Sequence, residues 1–430
     1  MTTVTTAGSP VFDRRESEAR SYCRSFPVTF TSAQNATLTD INGRTYIDFL
    51  AGCSSLNYGH NDPDMKAALI DYIVHDGVAH GLDMQTEAKA AFIETFERLI
   101  LKPRGMDHKI MFTGPTGTNA VEAAMKLARK VTGRQTIIAF TNGFHGMTLG
   151  ALGATGNEAK RAGAGGAWLG DIARMPYEGA FGPEADTLAQ IETLLDNPSS
   201  GYDAPAAFIV EPVQGEGGLN AASKTWMQGI ARLAKKHEAL LIVDDIQAGI
   251  GRTGGFFSFD DFGIKPDLIP LAKSLSGMGL PFAALLIRSE HDIWKPAEHN
   301  GTFRGNNHAF VTARVALEKF WSDGAFAAVV RDKAHYLEKR LDAIRVHVAG
   351  SRLKGRGMMR GIDVGSGDLA AMICAECFRN GLIIEASGAE DEVVKVLAPL
   401  TIPMKQFAAG LDILENAVVA AVSPNRIAAE

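Results

Sequence analysis

The spacing of apolar residues changes its period along this chain. TLTDINGRTYIDFL (37–50) reads as a β-hairpin with Asn42-Gly43 at its turn. From Asp64 to about Leu101, apolar residues recur at helical spacing. Short apolar runs then alternate with amphipathic stretches. KIMFTG predicts a strand leading into the helix NAVEAAMKLARKV, and TIIAF a strand followed by a Gly-rich loop. AAFIVEPV predicts a strand, KTWMQGIARLAKKHE a helix, and ALLIVDDIQ, DLIPLAKS and PFAALLIRS further strands. Apolar strands alternating with helices predict an α/β fold, its mainly parallel sheet covered on both faces. Ligands of such sheets sit at the carboxyl ends of the strands. From about Ala309 the pattern is helical and then mixed, a second and smaller α/β lobe that the hairpin joins or bridges to. The expected boundaries are 1–60 for an N-terminal segment of the small domain, 61–310 for the large domain and 311–430 for the C-terminal small domain.

With 430 residues, the chain exceeds the size at which one core keeps growing, consistent with two lobes. Hydrophobic residues make up 46% and charged residues 21%, an ordinary globular balance. The 43 Lys and Arg against 49 Asp and Glu leave a net charge of −6. No basic stripe is visible, so no nucleic-acid partner is expected. No apolar run approaches the roughly 20 residues of a membrane span, so no membrane partner is expected either. Met1 to Pro10 is polar and lacks an apolar signal core, which argues against secretion. The cysteines are Cys23, Cys53, Cys374 and Cys377. The expectation is reduced thiols in the cytoplasm. Cys374-x-x-Cys377 falls in a helical pattern and reads as packing thiols, and no metal site is expected.

Four segments carry candidate chemistry. TGPTGTNAVEAAMKLAR (113–129) places a small, Gly-rich turn before a helix. Free N–H groups at a helix N-terminus favour a phosphate, Gly117 lets the backbone approach, and Thr118 adds a hydroxyl; an ordinary cap by Thr118 or Asn119 is the alternative. GFHGMTLG (143–150) sets Phe144 and His145 between glycines after a strand. An aromatic there can stack on a planar ring or simply pack the loop. In LLIVDDIQAGIGRTG (240–254) an apolar strand runs into Asp244-Asp245. A strand-end carboxylate needs a partner, either a protonated ring nitrogen or a protein cation. Gly249–Gly254 matches G-x-G-x-x-G, but aromatic FFSF follows where a dinucleotide fingerprint requires a helix. PDLIPLAKSLSGMGLP (266–281) puts Lys273 at the end of an apolar strand. A lysine there either snorkels to solvent or attacks a carbonyl cofactor. A phosphate cup, a ring-stacking aromatic, a strand-end Asp and a strand-end Lys together are what pyridoxal phosphate requires.

These segments resemble the class III (ω-amino acid) aminotransferases of the pyridoxal-phosphate-dependent fold type I. The likeness runs from about Thr37 to Leu400 through GTNAVEAAMKLAR, FHGMTLGA, VEPVQGEGG, DDIQAGIGRTG, LAKSLSGMGLP and GTFRGN. It implies Lys273 as the Schiff-base lysine, Asp244 as the pyridinium partner and Gln247 as the residue facing the ring's phenolic oxygen. It implies Phe144 as the stacking aromatic, Gly117 and Thr118 as the phosphate cup, and Glu211 and Glu216 as the glutamates of the EPxQGE motif. Thr302 corresponds to a threonine that reaches the phosphate of a neighbouring subunit, which implies a homodimer at least.

SYCRSFPVTF, AGCSSLNYGHN, MDHKIMFTGPTGTNAVEAAMKLARK and NGFHGMTLGALGATGN together resemble one branch of that family. Its members move an amino group from L-glutamate to L-aspartate 4-semialdehyde, giving L-2,4-diaminobutyrate and 2-oxoglutarate at the entry to ectoine biosynthesis. Ornithine-type members carry an arginine where Met147 stands, two slot tyrosines where Cys23 and Cys53 stand, and an arginine where Lys395 stands. Their carboxylate clamps therefore do not transfer. Lys395, with Glu216 as switching counter-charge, is the first candidate anchor for a substrate carboxylate; Arg24 is the second, with Arg304 another cation near the expected slot. A 4-aminobutyrate or ornithine aminotransferase, an aminomutase and a nicotinamide oxidoreductase are the rival readings.

Overall fold

Seven strands form the central sheet. They are β1 (Lys109–Phe112), β2 (Ile137–Phe140), β3 (Ile172–Met175), β4 (Ala207–Val210), β5 (Leu240–Val243), β6 (Leu268–Leu271) and β7 (Ala284–Ile287). Their spatial order is β1-β7-β6-β5-β4-β2-β3. Only β7 runs antiparallel to its neighbours; the remaining pairs are parallel. The computed structural model describes residues 10–423 apart from Trp168. The polar start of the chain therefore lies almost wholly outside the described residues.

The sheet is a buried middle layer because its strands are apolar on both faces. Leu241 and Val243 of β5 pack with Phe208, Val210, Trp226 and Ile230. Leu240 and Ile242 pack on the other face with Ala207, Ile209, Val121 and Leu127. Successive side chains of a strand point to opposite faces, so a continuous apolar run is what a doubly covered strand requires. The helices Gly117–Thr132 and Lys224–Lys236 supply the two covers. Edge strand β3 is absent from the sequence-derived elements. Its Arg174 is exposed on an otherwise apolar four-residue stretch, which dilutes the signal.

The helical stretch expected over 64–101 is interrupted. Helix Pro63–Val74 is capped by the Asp62 carboxylate, which accepts from the N–H groups of Asp64 and Met65. The chain turns at Asp76, whose φ is 56°, and resumes as Glu87–Phe96 behind a Thr86 cap. Helix Asn307–Phe320 spans the expected boundary at 310. Its buried residues Ala309, Phe310, Ala313, Ala316 and Leu317 belong to the core of the larger lobe.

The smaller lobe joins both ends of the chain. The hairpin of Thr37–Asp40 and Thr45–Asp48 turns at Gly43, with φ 80°. Leu382–Ile383 then pairs parallel with Thr45–Asp48. A second sheet holds Arg352–Arg356, Met359–Asp363, Val393–Val396 and Glu385–Ser387, in that spatial order. Cys377 sits in the lobe's core with Cys374 packed against it, and all four cysteines are free. Among the described residues no helix is long and apolar enough to cross a membrane.

Candidate active site

The strand ends converge on a cavity of about 700 Å3. Its wall includes Gly117 and Thr118 beyond β1, Phe144 beyond β2, Glu211 and Glu216 beyond β4, Asp244 and Gln247 beyond β5, and Lys273 beyond β6. Each is carried there because an apolar strand ends and the chain must leave the sheet at the same rim.

Lys273 is held in a left-handed conformation, φ 52°, at the turn after β6. Its Nζ donates to Cys53 O at 2.7 Å. That carbonyl belongs to a run of left-handed residues, Ala51 (46°), Gly52 (54°), Cys53 (55°) and Ser54 (70°). Each non-glycine residue so placed is strained by roughly 1–2 kcal/mol. Ser274 fixes the run by donating to Ser54 O at 2.6 Å and accepting from Asn57 N at 2.9 Å. The lysine and the loop facing it are thus positioned by adjacent residues.

Asp244 and Asp245 face different partners. Asp244 is 4% exposed, and its Oδ2 lies 2.8 Å from His145 Nδ1. Burial opposes charge on His145, but the bond to Asp244, helped by Glu211, outweighs it and raises the imidazole's titration. Asp245 is fully buried and accepts from the backbone N–H and hydroxyl of Ser258, away from the cavity. Burial pushes its carboxyl up to about 7. Glu211 accepts from Phe144 N at 2.8 Å and from Gly215 N at 3.3 Å, so it builds the loop that presents the aromatic. Its carboxyl is raised, chiefly by burial.

The residues present fit a phosphorylated ring cofactor. Helix Gly117–Thr132 has no side-chain cap, and the N–H groups of Gly117 and Thr118 take no partner among the described residues. A Cβ at Gly117 would stand 2.9 Å from Ile246 Cδ1, so that side chain would have to shift. Thr118 Oγ1 shares a 2.7 Å bond with Thr148 Oγ1. Gln247 donates to Glu216 Oε1 at 3.0 Å, while its own Oε1 is buried without a partner. That amide fits only because residue 215 is glycine, whose Cβ would lie 1.4 Å from Gln247 Oε1.

Other residues singled out in the sequence stand elsewhere. Lys395 is fully buried behind the wall, its Nζ 3.0 Å from Glu216 Oε1 and 2.9 Å from Glu385 Oε1. Burial would lower its titration, but Glu385 and then Glu216 raise it well above the lysine range. Burial would likewise raise Glu216, but Lys395, Lys273 and Gln247 hold it at about 2. Glu385 was not foreseen; only the register that sets it opposite Lys395 reveals it. Arg24 is exposed, bound to Glu18 at 2.5 Å and to the carbonyl of Arg20, outside the cavity wall. Arg304 holds Phe112 O and Asn300. Tyr22 lines the cavity in place of the exposed Cys23, with its hydroxyl 2.8 Å from Cys53 Sγ. Thr302 is exposed and does not line this cavity. Gly249–Gly254 forms turns with no helix following, as the rejected dinucleotide reading anticipated.

A strand-end lysine, a buried strand-end carboxylate and an uncapped helix N-terminus at one rim define a pyridoxal-phosphate enzyme. The chain belongs to the class-III aminotransferase family, whose model matches residues 19–418. It is similar to the diaminobutyrate–2-oxoglutarate transaminase of Halomonas elongata, 54% identical over 417 residues, covering 96% of this chain and 99% of that protein. The protein of that name from Vibrio parahaemolyticus is 53% identical over 410 residues, covering 95% and 97%. Among solved structures, the ornithine aminotransferase of Toxoplasma gondii aligns with a TM-score of 0.81 at 26% identity, covering 95% of this chain and 93% of that one.

Proposed function

We propose that this chain is a diaminobutyrate–2-oxoglutarate transaminase, moving an amino group between L-glutamate and L-aspartate 4-semialdehyde. The observation that carries the reading is identity above one half to relatives of that name across nearly the whole chain. The cavity supports it: Met147 leaves no guanidinium in its wall for a distal carboxylate.

Pyridoxal phosphate, when bound, supplies the electron sink for the carbon that loses its proton. Gly117 and Thr118 would hold its phosphate, Phe144 would cover its ring, and Asp244 would keep its ring nitrogen protonated. Asp244 is held in place for this task by its 2.8 Å bond to His145 Nδ1. Lys273 Nζ would be the attachment point, and when free its amine would hold and move the proton. Cys53 O gives that free amine a fixed resting bond at 2.7 Å. Ile246, Ala272, Leu280 and Phe282 keep the wall apolar, which strengthens each charge interaction inside.

The same reading includes a homodimer whose Thr302 reaches the partner's cofactor. Support comes from the surface around it: Phe303 is 65% exposed and meets His80, next to exposed Val78, Leu82 and Met84. Apolar patches of this kind mark interfaces. A cytoplasmic location accords with four unpaired thiols. The test is a screen of glutamate against aspartate, succinate and glutamate semialdehydes. Aspartate semialdehyde should give the highest kcat/KM; a higher value for either other aldehyde would overturn the assignment.

A further inference from the structure

At one end of the cavity a single lysine is shared by two carboxylates. Lys395 and Glu385 stand opposite each other on paired antiparallel strands, so the backbone register fixes their contact. Glu216 reaches the same Nζ from the other lobe and is the one member that lines the cavity. Its Oε1 serves Lys395 and Gln247, while its Oε2 has no partner among the described residues. The neighbouring Gln247 Oε1 is buried and also lacks a donor. The Glu216 carboxylate, on the cavity wall with one oxygen unpartnered among the described residues, is a place for a cation.

We infer that Glu216 receives the second ammonium group of a diamino acid substrate, and that Glu385 is the specificity-determining positioning residue that lets it do so. This rests on the diaminobutyrate reading above. The physical reason is compensation. A buried charge whose partner is withdrawn is strongly destabilising. With Glu216 alone, turning its carboxylate toward a substrate would strip Lys395 of its counter-charge. Glu385 keeps the lysine paired, so Glu216 can bond an ammonium in the cavity. Lys395 is already bonded to two carboxylates, which makes it a poor anchor for a substrate carboxylate.

Diaminobutyrate and 4-aminobutyrate have the same chain, carboxylate and reacting amine, and differ by the α-ammonium. Single-turnover half-reactions of the holoenzyme with each, followed by cofactor absorbance, isolate that group. Wild type should favour diaminobutyrate. In Glu385→Gln, its kcat/KM should fall about ten- to hundredfold, mainly through KM, as expected for losing a charged hydrogen bond. The value for 4-aminobutyrate should fall no more than threefold, and Glu385→Asp should restore most of the preference. An equal loss for both substrates would mean a purely structural role and overturn the inference. If Glu385→Gln does not fold, Glu216→Gln, which leaves Lys395 paired, must abolish the preference; its survival would be equally fatal. A wild type that prefers 4-aminobutyrate would overturn the functional reading itself. A wild type that prefers diaminobutyrate while both variants keep that preference would overturn only the inference.

Discussion

Asp244 and Asp245 are adjacent in sequence, both buried, and predicted to behave in opposite ways. Replacing Asp244 by Asn removes a charge but little volume. Its partner His145 is 3% exposed and lies 2.8 Å away, so the pair has almost no water to replace a lost charge. Breaking a buried pair of this kind costs about 3–5 kcal/mol. If that whole amount is felt where charge develops during proton removal, the rate falls by roughly 10²- to 10⁴-fold. His145 should also titrate lower, because its raised value depends on Asp244. Asp245→Asn keeps an acceptor for Ser258 and touches nothing in the cavity, so its rate should stay within about threefold. The assay is rapid-mixing turnover with glutamate, normalised to bound cofactor. Retention of more than a tenth of the wild-type rate by Asp244→Asn, or a slower Asp245→Asn, would show that the wrong carboxylate has been assigned to the ring nitrogen.

Three further outcomes are expected. Lys273→Ala should remain folded and abolish turnover, and borohydride reduction of wild type should label Lys273; a pyridoxyl label on another lysine would refute the assignment. The Asp245 carboxyl titrates at about 7 against an ordinary 3.8, so the folded state keeps a proton the unfolded chain releases. Its stabilising contribution is complete below about pH 4 and is lost as pH rises through 7, about 3 kcal/mol of it between pH 5 and 8. Asp245→Asn should remove that part of the decline, and thermal midpoints that fall equally with pH in both proteins would contradict it. Mixing Lys273→Ala chains with Thr302→Tyr chains should restore partial activity in heterodimers; a fully active monomer by light scattering would exclude a shared site.

The pattern of apolar residues alone determined the large sheet, because a strand covered on both faces must be apolar throughout. It also placed Lys273 and Asp244 at strand ends, since a polar residue directly after such a run has to sit at the rim. Gly117 and Thr118 were legible for a related reason: small residues before an amphipathic helix leave its first N–H groups open. The interruption at 75–86 and edge strand β3 were not legible, as one charged residue on a short edge or one left-handed turn barely alters local periodicity. The distal charges lay further still from the sequence. Lys395 and Glu385 are ten residues apart in the chain, yet they meet because two strands pair antiparallel at that register. Glu216 joins them from the other lobe, 179 residues away. Arg24 and Lys395 both read as available cations, but tertiary structure gave the first to solvent and Glu18, and the second to two buried carboxylates. Local sequence dictates which way a strand's residues point; which charges then neutralise one another depends on the packing of segments far apart in the chain.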